Sequence, residues 1–494
     1  MTQEFEPVIG LEVHAVLETQ TKMFCECQVV DSTHDQANIA VCPVCSGMPG
    51  VLPVINEQAV AYALRVATAL DCEISTSSVF ARKSYFYPDL PKGYQISQYE
   101  QPMARNGVLN VTTSEGELEI RIRRVHLEED TGKLTHFHNN QNNGGDSYSL
   151  VDLNRAGIPL LEIVTEPDMH SVEAVRACAV GLRSILRYLE VNSGNLEKGV
   201  FRIEPNISIR KKGSKVLGTR TEIKNLNSFR SLERGVAYEI NRQSDLLNQG
   251  EEVIQQTVGW DDVGQKTVPQ RSKEDAEDYR YFPEPDLPPL VVEPTWVADV
   301  KKSLPELPYA KMKRFKKDYE LTAYDAGVLV AENPVADFFE GTLAAVTTTK
   351  PKQVANWISG ELFGQMNERD LKIEALQISP QGLAELIQMV SEGEINQNTG
   401  KDVLTEMINS GKSSAEIVKS KGLDQISDRK AIAKMVVDVL DGNPDQVKSY
   451  LGGKETVSGW LFGQVMQQAK GKANPQVVRV ELERELAVLK ENAN

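Results

Sequence analysis

Phe201 to Glu222 reads FRIEPNISIRKKGSKVLGTRTE and continues IKNLNSFR to Arg230. Phe201, Ile203, Ile207 and Ile209 share one parity; Arg202, Glu204, Asn206, Ser208 and Arg210 share the other. Successive side chains of a strand point to opposite faces, so one face is apolar and the other carries charged and amide groups. After the basic connection KKGSKVLG, where Gly213 and Gly218 suit a reversal, Arg220, Glu222 and Lys224 make a second such row. Facing rows of Arg, Lys, Glu and Asn can hold a phosphate-bearing substrate and leave carboxylates for a metal. A solvated sheet face with cross-strand ion pairs satisfies the same pattern, so this stretch alone does not choose between them.

Four further segments supply polar groups at internal strand positions. In VIGLEVHAVL, Ile9, Leu11, Val13, Ala15 and Leu17 are apolar, while Glu12 and His14 share the opposite face as a usable metal or acid/base unit. Leu118, Ile120 and Ile122 hold one parity, which then switches to Val125 and Leu127. A bulge near Arg123–Arg124 makes that switch and leads into the acid run Glu128, Glu129 and Asp130. Val151 and Leu153 place Asp152 and Asn154 on a common face, followed by Arg155. Glu162 lies inside the apolar run PLLEIVTEP, where an unpaired carboxylate is costly. The recurrence of polar groups at internal strand positions favours a site over a solvated face.

The chain has 494 residues, a net charge of −16 and 40% hydrophobic residues, the profile of a soluble globular protein of two to four domains. No apolar run approaches a membrane span, and the acidic N-terminus MTQEFEP lacks a targeting pattern; a cytoplasmic protein is expected, with neither membrane nor DNA as a partner. The acidic balance disfavours a general nucleic-acid coat but leaves room for a local basic site, best placed at Arg210, Lys211, Lys212, Lys215 and Arg220. Cys25, Cys27, Cys42 and Cys45 form C-x-C-x14-C-x2-C, a spacing that suits a structural, tetrahedral zinc. Two disulfides or free thiols are the alternatives. No phosphate loop, dinucleotide fingerprint or nucleophile elbow occurs, so a nucleotide must be held by side chains and metal on a sheet. Tyr85 to Gln98 reads as a loop rather than a strand; its Tyr and Lys side chains can stack on a base and pair with phosphate.

Asn56 and Ser171 are expected N-caps of amphipathic helices, and Asn139 to Gly145 a loop. The five prolines of YFPEPDLPPLVVEP exclude a helix or central strand there and set a boundary near residue 295. The expected division is 1–295, 296–420 and 421–494, the last two helical. The last piece has 11 basic and 10 acidic residues, a balance of +1 against the acidic whole.

VIGLEVH, RKSYFYPDLPKGYQISQ, HLEEDTGK, VDLNRAGIPLLEIVTEPD, GTRTEIKNLNSFR and DYRYFPEPDLPPL strongly resemble the B subunit of bacterial glutamyl/aspartyl-tRNA amidotransferase. The resemblance is dense from Val8 to Leu290 and continues through a helical segment to a tail like the family's tRNA-binding domain. It implies an α+β fold: an antiparallel-sheet cradle similar to glutamine synthetase, followed by two all-α parts. It implies ATP- and magnesium-dependent phosphorylation of the side-chain carboxylate of Glu-tRNA(Gln) or Asp-tRNA(Asn). Ammonia from a partner amidase (A) subunit then gives the amide, within a heterotrimer that includes a small C subunit. Carried onto this chain, the metal ligands are Glu12, His14, Glu129 of the Glu128–Glu129 pair, and Glu162. Arg202 and Glu204 join Glu12, His14, Glu128 and Glu129 as catalytic candidates; Lys83, Tyr87, Lys92, Arg220, Glu222 and Lys224 are nucleotide candidates. Glu204-Pro205 departs from the family's usual Asp and small residue, and Pro205 removes a ladder donor. A glutamine-synthetase-type ligase acting on a free small molecule and a non-catalytic tRNA adaptor are the competing classes.

Overall fold

The computed structural model describes residues 5–31, 33–137, 148–272, 279–347, 349–423, 428–469 and 472–493. The expected loop at Asn139–Gly145 and the histidine at 138 lie outside these residues. The chain divides into two compact units, Met1–Lys311 and Met312–Asn494.

The first unit is α+β. Its strands are β1 (Phe5–Val16), β2 (Glu73–Ile74), β3 (Ser77–Ser78), β4 (Ala81–Ser84), β5 (Tyr94–Ser97), β6 (Ala104–Thr113), β7 (Gly116–Glu129), β8 (Lys133–Phe137), β9 (Tyr148–Asp152), β10 (Pro159–Thr165), β11 (Phe201–Lys211), β12 (Thr221–Lys224), β13 (Gln256–Asp261), β14 (Lys266–Ser272), β15 (Phe282–Pro283) and β16 (Leu290–Val291). Twelve form one sheet, ordered β14-β13-β12-β11-β1-β10-β7-β5-β4-β15, with β6 also on β7 and β2 on β6. All its pairings are antiparallel except β12 with β13. The turn-rich reading of Tyr85–Gln98 is corrected at its end, where Tyr94–Ser97 pairs with Ala81–Ser84. The proline-rich stretch contributes only the edge strand β15 and the small pairing of β16 with β3, as missing N–H donors require.

The parity reading becomes register. Ile9, Leu11, Val13 and Ala15 are buried with Phe201, Ile203, Ile207, Leu161, Ile163, Val125 and Leu127 in one core. Each of these side chains larger than alanine contributes about 1.5–3 kcal/mol relative to exposure, which holds the opposite parity on the other face. Helices α1 (Glu57–Ala69), α2 (Val172–Tyr188) and α3 (Phe229–Asn248) supply residues to the same core. Asn56 caps α1, accepting from the Ala59 N–H at 3.2 Å, and Ser171 caps α2, accepting from Ala174 at 3.1 Å. Register runs unbroken through Pro205, opposite Leu11. Strand β12 engages only Asn206 and Ile207, so Pro205 interrupts no ladder on that side. Gly213 has φ +80°, and a Cβ at Gly218 would lie 2.1 Å from the Ile209 carbonyl oxygen, so both glycines of the connection are required.

Helix α4 (Pro294–Ser303) packs Trp296, Val297 and Val300 on this core, so residue 295 falls inside a helix of the first unit. The second unit is helical from Met312 onward. It holds two separate apolar clusters, one from Phe315 to Ile417 and Val418, the other from Ile432 to Leu486. No helix among the described residues is long and apolar enough to cross a membrane.

Candidate active site

The polar face of β11, β1, β10 and β7 carries two adjacent rows of opposed residues. Arg202 lies opposite His14, His14 opposite Glu162, and Glu162 opposite His126. In the next row Glu204 lies opposite Glu12, Glu12 opposite Val164, and Val164 opposite Arg124. The expected bulge sits at Arg123: Arg124 pairs with Val164, but Ile122 pairs with Thr165. It turns Arg124, His126 and Glu128 onto the face of Glu12 and His14.

His14 Nε2 is 3.5 Å from Glu12, 3.5 Å from Glu162 and 3.9 Å from Glu128. His126 Nε2 is 3.3 Å from Glu162 and 4.0 Å from Glu128. Carboxylates gathered this closely repel. Burial, then Glu162, pushes the Glu12 carboxyl up to about 7. Burial opposes charge on His14, yet Glu162, Glu204 and Glu12 carry it up to about 9. Glu162 is held well below the usual carboxylate range, against its burial, by His126 and His14.

Two sets of donor atoms here, Glu12–His14–Glu204 and His14–Glu128–Glu162, each lie within 4.8 Å of one another. The Nδ1 atoms of His14 and His126 are buried without hydrogen-bond partners among the described residues. Carboxylate oxygens with an imidazole suit a hard divalent cation, which would relieve the repulsion.

Cations ring the acids. Arg202 is 3.1 Å from Asp130, which is itself held below the usual range, despite full burial, by Arg202 and Arg155. Lys224 bridges Glu204 at 2.8 Å and Glu222 at 3.3 Å. Burial opposes the charge of Lys83, but Glu128 leads a set of neighbours that raises its pKa, and its Nζ lies 4.7 Å from the Tyr279 ring.

The structure separates other candidates. Glu129 faces away from this group: its carboxylate accepts from Lys92 and, at 2.9 Å, from the Ile96 N–H. Both Glu129 and Lys92 line a cavity of about 210 Å3 beside Cys25 and Cys45. Glu128 takes the place expected for Glu129. Arg220 precedes β12 and is exposed. Tyr87 packs against Tyr85, ring centroids 5.8 Å apart, on the loop after β4. Asp152 and Asn154 serve a loop instead: Asp152 accepts from Asn38 and Asn154 from Ala40, fastening the segment before Cys42. His126 and Arg124 escaped the sequence reading as site residues. Their signal was the parity switch itself, which puts positions 124, 126 and 128 together.

The four thiols of Cys25, Cys27, Cys42 and Cys45 converge, with Cys27 4.0 Å and Cys42 3.8 Å from Cys45. Zinc–sulfur bonds of about 2.3 Å put tetrahedral sulfurs about 3.8 Å apart, so the group fits a metal. A hydrogen bond from Cys25 and, after opposing burial, the Cys42 N–H and Lys22 draw the Cys45 thiol down to about 4. Lys22, fully buried, donates to Ala40 at 2.7 Å and Leu153 at 3.1 Å, and lies 3.7 Å from Cys45.

A profile described as the GatB/GatE catalytic domain matches residues 7–298, and one described as the GatB domain matches residues 337–486. The chain belongs to the GatB family. Among its relatives is the B subunit of the aspartyl/glutamyl-tRNA(Asn/Gln) amidotransferase of Persephonella marina, 47% identical over 475 residues, 96% of this chain and 98% of that protein. Its namesake from Myxococcus xanthus is 48% identical over 483 residues, 98% of this chain and 99% of its own length. That of Thermotoga maritima is 46% identical over 473 residues, 96% and 97%. The acid–imidazole rows fall within the matched catalytic domain of the family.

Proposed function

We propose that this chain is the B subunit of a tRNA-dependent amidotransferase, phosphorylating the side-chain carboxylate of Glu-tRNA(Gln), Asp-tRNA(Asn) or both. One observation carries this reading: the polar rows that meet on β11, β1, β10 and β7 are acids, imidazoles and cations. Such a set positions and neutralises a phosphoryl group, and needs no protein nucleophile. A side-chain carboxylate oxygen attacks the γ-phosphorus of ATP. The bond to the β–γ bridging oxygen breaks, and ADP leaves with the electron pair. Ammonia then attacks the acyl carbon, phosphate leaves, and a proton is released as the amide forms.

Glu12, His14, Glu128, Glu162 and Glu204 would hold magnesium, which supplies charge neutralisation and orientation to the phosphates when bound. Arg202, Lys83 and Lys224 would face phosphate oxygens, with Arg202 and Lys224 already steadied by neighbouring acids and Lys83 by the Tyr279 ring. Cys25, Cys27, Cys42 and Cys45 would hold a structural zinc, since four thiolates leave no open coordination position. An amidase (A) subunit and a small C subunit are the expected partners, and the cytoplasm the expected compartment. The two apolar clusters of the helical unit support separate parts before and after about residue 421, the latter for tRNA. The test is co-purification with the amidase, followed by ATP cleavage and transamidation assays with Glu-tRNA(Gln) and Asp-tRNA(Asn). Amidation of free glutamate without tRNA would point instead to a small-molecule ligase.

A further inference from the structure

We propose that Arg124 is the arginine that grips the transferred phosphoryl group, from γ-phosphate through acyl phosphate to released phosphate. The inference rests on the proposed reaction and adds to it a residue outside the acid–imidazole set.

Arg124 differs from the other arginines nearby. Arg121 clasps Asp168 at 2.9 and 2.6 Å, and Arg123 clasps Glu166 at 2.9 and 2.8 Å. Arg202 has Asp130 at 3.1 Å. Arg124 reaches only Glu162, at 3.6 Å, beyond hydrogen-bond range. Its Nε is buried with no hydrogen-bond partner among the described residues. A guanidinium has five in-plane donors, and a buried unmatched donor is costly unless a ligand completes it.

Its orientation is prepared. The bulge at Arg123 sends Arg121 and Arg123 to outlying acids and turns Arg124 into the row of Glu12 and Glu204. The guanidinium carbon lies 5.6 Å from the centroid of the Tyr99 ring. That ring stacks on Tyr281, centroids 4.0 Å apart and planes 8° from parallel. An aromatic face steadies a guanidinium and leaves its edge free for bidentate bonds to oxygen. With the side chain only 25% exposed, that edge works in a partly water-excluded site. The ligand chemistry that fits is a phosphoryl oxyanion, whose charge spreads over three equatorial oxygens during transfer. Arg124 donates to non-bridging oxygens only, so no bond or proton of the reaction passes through it.

The test uses the complete complex with its amidase. Arg124→Ala is expected to lower kcat for tRNA-dependent ATP cleavage about 100-fold, with the magnesium half-saturation close to that of the wild type. Millimolar guanidinium should restore part of the rate, and glutamine hydrolysis by the amidase reports an intact complex. Arg124→Lys keeps the stem and charge and should fold, yet stay slow because an ammonium lacks the fork. A wild-type rate in Arg124→Lys overturns the proposal. So does an Arg124→Ala defect that saturating magnesium repairs, which would make Arg124 a counter-ion of Glu162. A wild-type complex without tRNA-stimulated ATP cleavage would instead refute the underlying reaction.

Discussion

The two candidate metal groups of the first unit are built in opposite ways. The thiols come from two short segments, Cys25–Cys27 and Cys42–Cys45, on loops braced by Lys22 and by the Asp152–Asn154 turn. The acid–imidazole group takes single residues from β1, β7, β10 and β11, brought together by strand register. A loop-borne group depends on its ion for its shape. A group fixed by the pairing of central strands keeps its shape through the surrounding core. Loss of the first should therefore be read mainly in stability, and loss of the second mainly in chemistry.

The sharpest way to break this contrast is at the sheet. Glu12→Ala or His14→Ala should lower tRNA-dependent ATP cleavage by on the order of 100-fold or more while leaving the thermal midpoint close to wild type. Transamidation by His14→Ala at the normal magnesium optimum and the normal rate would show that the rows are not the reaction centre. Glu128→Gln against Glu129→Gln sharpens the same point. The first should raise the magnesium half-saturation about tenfold, because a charge leaves the cation's surroundings. The second should leave it near wild type, since Glu129 turns to Lys92. Equal effects on magnesium would contradict the separation of the two neighbours.

At the thiol group the expected readout is reversed. Cys42→Ser, or removal of metal by a chelator, should lower the melting midpoint by about 5 °C or more, with ATP cleavage per folded molecule largely kept. Protein purified without chelator that contains no zinc would remove the basis for that expectation. The smallest effect concerns the tail. Lys430, Lys434, Lys472 and Arg479 are exposed there, while the Lys at 470 lies outside the described residues. Truncation after Leu423, which packs on the first helical cluster, should raise the KM for charged tRNA about tenfold and flatten its salt dependence as phosphate contacts vanish. An unchanged KM at two salt concentrations would make the tail purely structural.

Much of this was legible in the chain. Alternation of apolar residues is a local property, so Glu12, His14, Arg202 and Glu204 could be assigned to a polar face before any pairing was known. The parity switch after Ile122 likewise announced the bulge. Cysteine spacing and the caps at Asn56 and Ser171 are equally local, because each is decided within a few residues. The same parity switch puts Glu128 on the parity of Arg124 and His126 and Glu129 on that of Val125 and Leu127, a distinction that the metal assignment carried from the resemblance did not use. Adjacent residues of a strand point to opposite faces, but which face carries the site depends on partners some thirty to a hundred positions away.

The sequence by itself determined which side chains of β1 and β11 share a face, where helices α1 and α2 start, and which thiols can meet. Tertiary structure alone decided that Glu162 and His126 stand in one row with His14 and Arg202. It also decided that Asp152 and Asn154 serve a loop, and that Arg124 meets only Glu162, at 3.6 Å, with its Nε unpartnered among the described residues. The reason is physical: alternation sets the direction of a side chain along its own strand. Its neighbours across the sheet follow from register, which only packing of the whole apolar face can choose.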